Sequence, residues 1–158
     1  MELNKIPPHD IEAEQAVLGS MLTDKDAVVV AMEILKDSDF YREDNRIIFE
    51  AISNLYAKAE PIDLITVQEE LVSLGKIEAV GGFNYLISLP EKVPTTANAE
   101  KYIRIVEEKS ILRILIKTAN ELIELGYSQN EDIEKIMKKY GDYERYEKKH
   151  KRFKADNS

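Results

Sequence analysis

The chain of 158 residues has no cysteine, no tryptophan and only two histidines, His9 and His150. Without cysteine there is no disulfide framework, no thiolate nucleophile and no thiolate zinc site. Two histidines far apart in sequence do not suggest a metal site or a catalytic triad. Long apolar runs are missing as well, and the mean hydropathy of −0.36 argues against a membrane span. The opening segment MELNKIPPHDIEAEQ has no apolar signal region, so secretion by that route is not expected and a cytoplasmic location is. A β pattern is also lacking, because strict apolar/polar alternation never persists beyond about four residues.

What is present suits a globular chain. Hydrophobic residues make up 44% and charged residues 33%. A chain of this size buries roughly 68–70% of its unfolded surface. The net charge of −8 is unevenly spread. Residues 1–137 hold 14 Lys and Arg against 26 Asp and Glu, whereas residues 138–158 hold 8 against 4. An acidic body argues against wrapping DNA, since neutralising phosphates needs clustered cations.

Helical spacing recurs instead, and it predicts an all-α fold. Asp10 is placed to cap a helix over Ile11–Leu22, with Ala13, Ala16, Val17, Ser20 and Met21 on one stripe. A second helix is expected from Asp24 or Lys25 to Leu35, and a third over 42–58. Asp63 is placed to cap Leu64–Leu74, with Gly75 just past its end. Gly81-Gly82 predicts a tight turn before a short helix, Phe83–Leu89, and Pro90 and Pro94 punctuate the segment after it. Thr95 or Thr96 can cap the longest helix, expected over Ala97–Leu125 and stopped by Gly126. Helix is expected again from Glu131. The organisation read from this is a head over 1–92, a helical hairpin over 93–139 and a basic tail over 140–158.

The long helix is apolar over more than one stripe. Ile105, Leu112, Ile116, Ala119 and Ile123 form one, and Ile111, Leu115 and Leu122 form another beside it. A surface helix needs only about 100° of apolar arc. The surplus either packs on the head or forms a subunit interface. Ile105, Ile111, Leu112, Leu115, Ala119 and Ile123 are the candidate oligomer contacts.

Several blocks then coincide in order. They are Ile6-Pro-Pro-His-Asp-Ile-Glu-Ala-Glu-Gln-Ala-Val-Leu-Gly-Ser-Met-Leu22, Asp39-Phe-Tyr41, Ile48-Phe-Glu-Ala-Ile52 and Pro61-Ile-Asp-Leu-Ile-Thr-Val67. Gly81-Gly-Phe-Asn-Tyr-Leu86 is next, and Val93-Pro-Thr-Thr-Ala-Asn98 runs into Tyr102-Ile-Arg-Ile-Val-Glu-Glu-Lys109. Together they resemble the N-terminal domain of the bacterial replicative helicase DnaB over residues 5–137.

The resemblance implies a non-catalytic collar. The family's enzyme is a hexamer that unwinds DNA with ATP, through a separate RecA-like motor. Such a motor needs a GxxxxGK[ST] phosphate loop. None occurs in these 158 residues, so ATP and Mg²⁺ belong to that other domain and no cofactor is expected here. By resemblance, hairpins pair into dimers, dimers assemble into a ring, and the collar receives the C-terminal domain of the primase DnaG. A helicase loader is a further implied partner. The positions matching the family's primase-facing surface are Glu12, Tyr85, Arg113, Ile116 and Leu122. Each also has a plainer reading. Glu12 suits a helix N-terminus, Tyr85 a core, Ile116 and Leu122 hairpin packing, and Arg113 a solvated surface.

The family pattern fails after Lys138, which fits either a shortened helicase or a stand-alone relative with its own tail. That tail interleaves Tyr140, Tyr143, Tyr146 and Phe153 with Lys148, Lys149, Lys151, Arg152 and Lys154. Aromatics among cations can stack bases and track phosphates, so a competing function is single-stranded nucleic-acid binding. Within it, Tyr143, Tyr146, Lys148, Lys149, Lys151 and Arg152 would make the contacts. An enzyme reading finds no support, because adjacent acids such as Glu107 and Glu108 point in different directions on a helix.

Overall fold

The computed structural model describes residues 5–129 and 132–139. Among these the fold is all α: α1 (Ile11–Thr23), α2 (Lys25–Ile34), α3 (Glu43–Ala57), α4 (Leu64–Ser73), α5 (Gly82–Glu91), α6 (Ala99–Ser128) and α7 (Ile133–Lys139). Short 3-10 turns stand at Asp37–Asp39, Glu78–Val80 and Thr96–Asn98. The chain divides into two compact units, residues 1–114 and 115–158. The segment 93–114, expected with the hairpin, therefore belongs to the first unit.

In the first unit α1 is the central element. Asp10 is extended and its carboxylate accepts from the Ala13 N–H at 2.9 Å, which starts the helix. Every residue from Ala13 to Leu22 is then buried. The five residues expected on one stripe are all buried, and burial extends around the rest of the helix as well. Packing by α2, α3 and α5 leaves no solvent face, and a helix enclosed in this way needs no polar stripe. Phe40 and Phe49 meet at 4.9 Å in the core, and Ile103 and Val106 of α6 close it.

Two predicted helix ends move, each for a physical reason. Helix α5 runs past Pro90 to Glu91. A proline in the final turn removes a bond only where the last carbonyls lose their partners anyway. Helix α6 runs past Gly126 to Ser128, and the left-handed turn falls on Gln129 (φ 55°). An exposed glycine costs about 1 kcal/mol against alanine, which does not stop a long helix. Its start is also displaced. The Thr95 hydroxyl caps the turn Thr96–Asn98, and α6 begins after it at Ala99.

In the second unit the described elements are the end of α6 and α7. Leu115, Ile116, Leu122 and Ile123 on α6 are all exposed, as is Ile133 on α7.

Candidate partner-docking surface

Glu12 lies exposed in the first turn of α1. It lines an open cleft of about 420 Å³ between α1 and α6, with Asp10, Gln15, Lys92, Tyr102 and Ile105. Its acid sits at the positive end of the helix dipole.

Tyr85, on α5, is half-buried against the core. Its hydroxyl points inward rather than to a partner. It donates to Asn45 Oδ1 at 2.5 Å and accepts from Gln15 Nε2 at 3.2 Å. Asn45 Nδ2 then donates to Glu14 Oε1 at 3.0 Å. Glu14 also accepts backbone N–H bonds from Tyr41 at 2.6 Å and Arg42 at 3.4 Å. Both Glu14 and Asn45 are buried, so the network satisfies polar groups that would be costly alone. Burial raises the Tyr85 phenol above its ordinary value, while the Gln15 bond pulls it the other way. The Arg42 guanidinium lies 5.3 Å from the Tyr85 ring centre and is paired through two bonds with Asp44. That pairing raises the Arg42 pKa further.

Arg113, on α6, is not the freely solvated residue that one reading expected. Its guanidinium donates to the Pro8 carbonyl at 2.8 Å and to the Asp39 carbonyl at 2.6 Å. It also lies 5.6 Å from the centre of the Tyr41 ring, on which His9 stacks at 4.3 Å. Ser110, one turn earlier, donates to Asp39 Oδ1 at 2.7 Å.

The first unit thus holds Glu12, Tyr85 and Arg113, while Ile116 and Leu122 belong to the second, where they are 47% and 37% exposed. Among the candidate oligomer contacts, Ile105 packs against the core of the first unit. Ile111 and Leu112 are exposed near the end of that unit, and Leu115, Ala119 and Ile123 are exposed in the second. The tail residues Tyr143, Tyr146, Lys148, Lys149, Lys151 and Arg152 lie outside the described residues. Among the described residues no helix is long and apolar enough to cross a membrane.

Sequence reasoning missed Glu14, Asn45, Tyr41 and His9. A signal existed for Glu14, which is flanked by Ala13, Ala16, Val17 and Leu18. A helix buried on all sides would bury it too, and the one-stripe reading hid that.

Comparison with known proteins gives concordant matches. The family model described as "DnaB-like helicase N terminal domain" matches residues 6–108. Replicative DNA helicase DnaB of Geobacillus stearothermophilus is 47% identical over 133 residues, which are 84% of this chain and 29% of the relative. Replicative DNA helicase DnaC of Bacillus subtilis (strain 168) is 44% identical over 134 residues, 85% of this chain and 30% of the relative. The chain therefore spans less than a third of these relatives. The crystal structure of the N-terminal domain of DnaB helicase from Mycobacterium tuberculosis has a TM-score of 0.73 at 43% identity, covering 77% of this chain and 88% of that one. A DnaB-like replicative helicase, solved with attention to its interactions with primase, has a TM-score of 0.66 at 28% identity, covering 76% of this chain and 28% of that one. With most of its length matched by the family model and most of a solved domain of that kind covered by it, this chain belongs to the DnaB-like helicase N-terminal domain family.

Proposed function

We propose that the chain acts as a non-catalytic collar in DNA replication, self-associating through α6 and docking primase. The exposed aliphatic run on α6 carries this reading. Ile111 stands one turn before Leu115 and Leu112 one turn before Ile116, so the four share one face, and all are exposed. An apolar patch of that kind marks an association surface. The interactions with primase for which a structural neighbour is described support the choice of partner.

Glu12, Tyr85, Arg113, Ile116 and Leu122 remain the proposed primase-facing set. Tyr85 and Arg113 direct their polar groups inward, so what they offer a partner is ring and aliphatic stem. Ile116 and Leu122 offer exposed aliphatic contact area on the second unit. The domain works by association alone, without a cofactor, in the bacterial cytoplasm. ATP hydrolysis and unwinding belong to a motor, and a loader is a further partner of the assembly.

The deciding experiment is a calorimetric titration of the purified chain with the C-terminal domain of the primase from the same source. Saturable heat with fewer than one primase domain per chain is expected for a docking dimer. No heat at high micromolar concentration would remove the docking half of the proposal.

A further inference from the structure

Arg113 belongs to the proposed docking set, and its guanidinium has a job besides any direct contact. The described residues before α1, 5–10, form a strap without helix, and two of them, Pro7 and Pro8, have no backbone N–H to donate. The Pro7 carbonyl has a partner within the strap, His9 Nδ1 at 2.8 Å, whereas the Pro8 carbonyl takes a donor from outside it. Arg113 supplies that donor, at 2.8 Å from the Pro8 oxygen. Its other terminal nitrogen holds the Asp39 carbonyl at 2.6 Å. One planar fork therefore ties the strap to the turn Asp37–Asp39 and both to α6. The Tyr41 ring completes the joint, with His9 of the strap stacked on it and the Arg113 guanidinium beside it. Ser110 anchors the same turn through Asp39. All of these residues lie in the first unit.

The strap leads directly into Asp10, whose carboxylate starts α1, and Glu12 stands two residues later. Holding Pro8 thus fixes where the first turn of α1 begins and where Glu12 stands. We propose that Arg113 is a positioning residue: it latches the strap so that the acidic start of α1 is presented in one place to the docking partner. This rests on the docking function proposed above. Lysine is a poor substitute in this role, because its ammonium lacks the planar fork that reaches two carbonyls from separate nitrogens while its face lies beside a ring.

Amide hydrogen exchange and primase-domain titration on the whole chain test it together. Arg113→Lys and Tyr41→Ala are each expected to lower protection of the Ala13 and Glu14 amides, which bond to Asp10, by about tenfold or more, the scale of a lost charged hydrogen bond. Both are expected to weaken primase-domain binding, while Tyr41→Phe, which keeps the ring, behaves like the parent. Amides of α4 serve as the control that the core stays folded. Weaker binding by Arg113→Lys with unchanged protection of the Ala13 and Glu14 amides would make Arg113 a direct contact and overturn the latch. So would parental binding by Tyr41→Ala once that protection is lost. If the parent chain fails to bind the primase domain, docking itself fails. The exchange arm then still decides the latch, which is overturned if Arg113→Lys leaves the Ala13 and Glu14 amides as protected as in the parent.

Discussion

Glu14 places its carboxyl group at a position that is 1% exposed, and three N–H donors surround it. Removing it orphans Nδ2 of the fully buried Asn45 and frees the backbone donors of Tyr41 and Arg42. Glu14→Ala is therefore expected to cost roughly 2–3 kcal/mol, read from the urea midpoint at unchanged slope. Tyr85 ends the same network and adds a pH dependence. Its folded pKa lies above the ordinary value of 10.0, chiefly because burial disfavours phenolate. Between pH 10 and the folded pKa, the unfolded chain loses this proton first, so the folded state binds more protons. Stability from Tyr85 is therefore full below about pH 10 and declines as pH rises through the folded value. Tyr85→Phe is expected to be less stable at pH 7, having lost its bonds to Asn45 and Gln15. It should also show a shallower alkaline decline in denaturation midpoints measured from pH 8 to 11. The identity of Tyr85 as a residue of interest was legible from its motif. Its inward direction was not, since the acceptor, Asn45, is distant in sequence and only the packed α1, α3 and α5 bring them together.

Helix starts were the most legible elements, because a cap is a local event. Asp63 accepts from the N–H groups of Ile65 and Thr66, both at 2.9 Å, while Thr66 Oγ1 accepts from the Asp63 N–H at 2.9 Å. All the parts lie within four consecutive residues, so their spacing announced them. Asp63→Ala is expected to cost about 1 kcal/mol, visible as a lower thermal midpoint. Glycines were less legible, because sequence does not say what lies opposite. A Cβ on Gly19 would stand 2.3 Å from the Leu89 carbonyl oxygen, in the close contact of α1 with α5. One on Gly126 would meet nothing within 4 Å. The same substitution should therefore act in opposite directions. Gly19→Ala is expected to destabilise by roughly 1–3 kcal/mol through overpacking against backbone that cannot yield. Gly126→Ala should firm the end of α6 by up to about 1 kcal/mol, seen as slower amide exchange around residues 122–128. Reading Gly126 as a stop mistook a small propensity cost for a boundary.

For the whole molecule the question is what the outer half of α6 is for. Its apolar excess was visible in sequence, and two destinations for it were open. Ile105 went to the core of the first unit, whereas Leu115 is 61% exposed and Ile114 59%. Periodicity shows that a helix carries too much apolar surface, but not where along it the intramolecular packing ends. If the exposed run is a self-association surface with two-fold symmetry, each substitution enters the interface twice. Leu115→Asp then places two carboxylates in a closing apolar contact with no cation opposite. Each costs several kcal/mol to desolvate unpaired, far more than the burial of leucine returns. Sedimentation equilibrium is expected to show the parent associating at micromolar concentration and Leu115→Asp as monomer, with association weakened by at least about a hundredfold. The substitution touches an exposed site, so its helix content and thermal midpoint should match those of the parent at low concentration. A parent that stays monomeric at high micromolar concentration would remove self-association through α6. The exposed aliphatics would then be left for primase alone to cover.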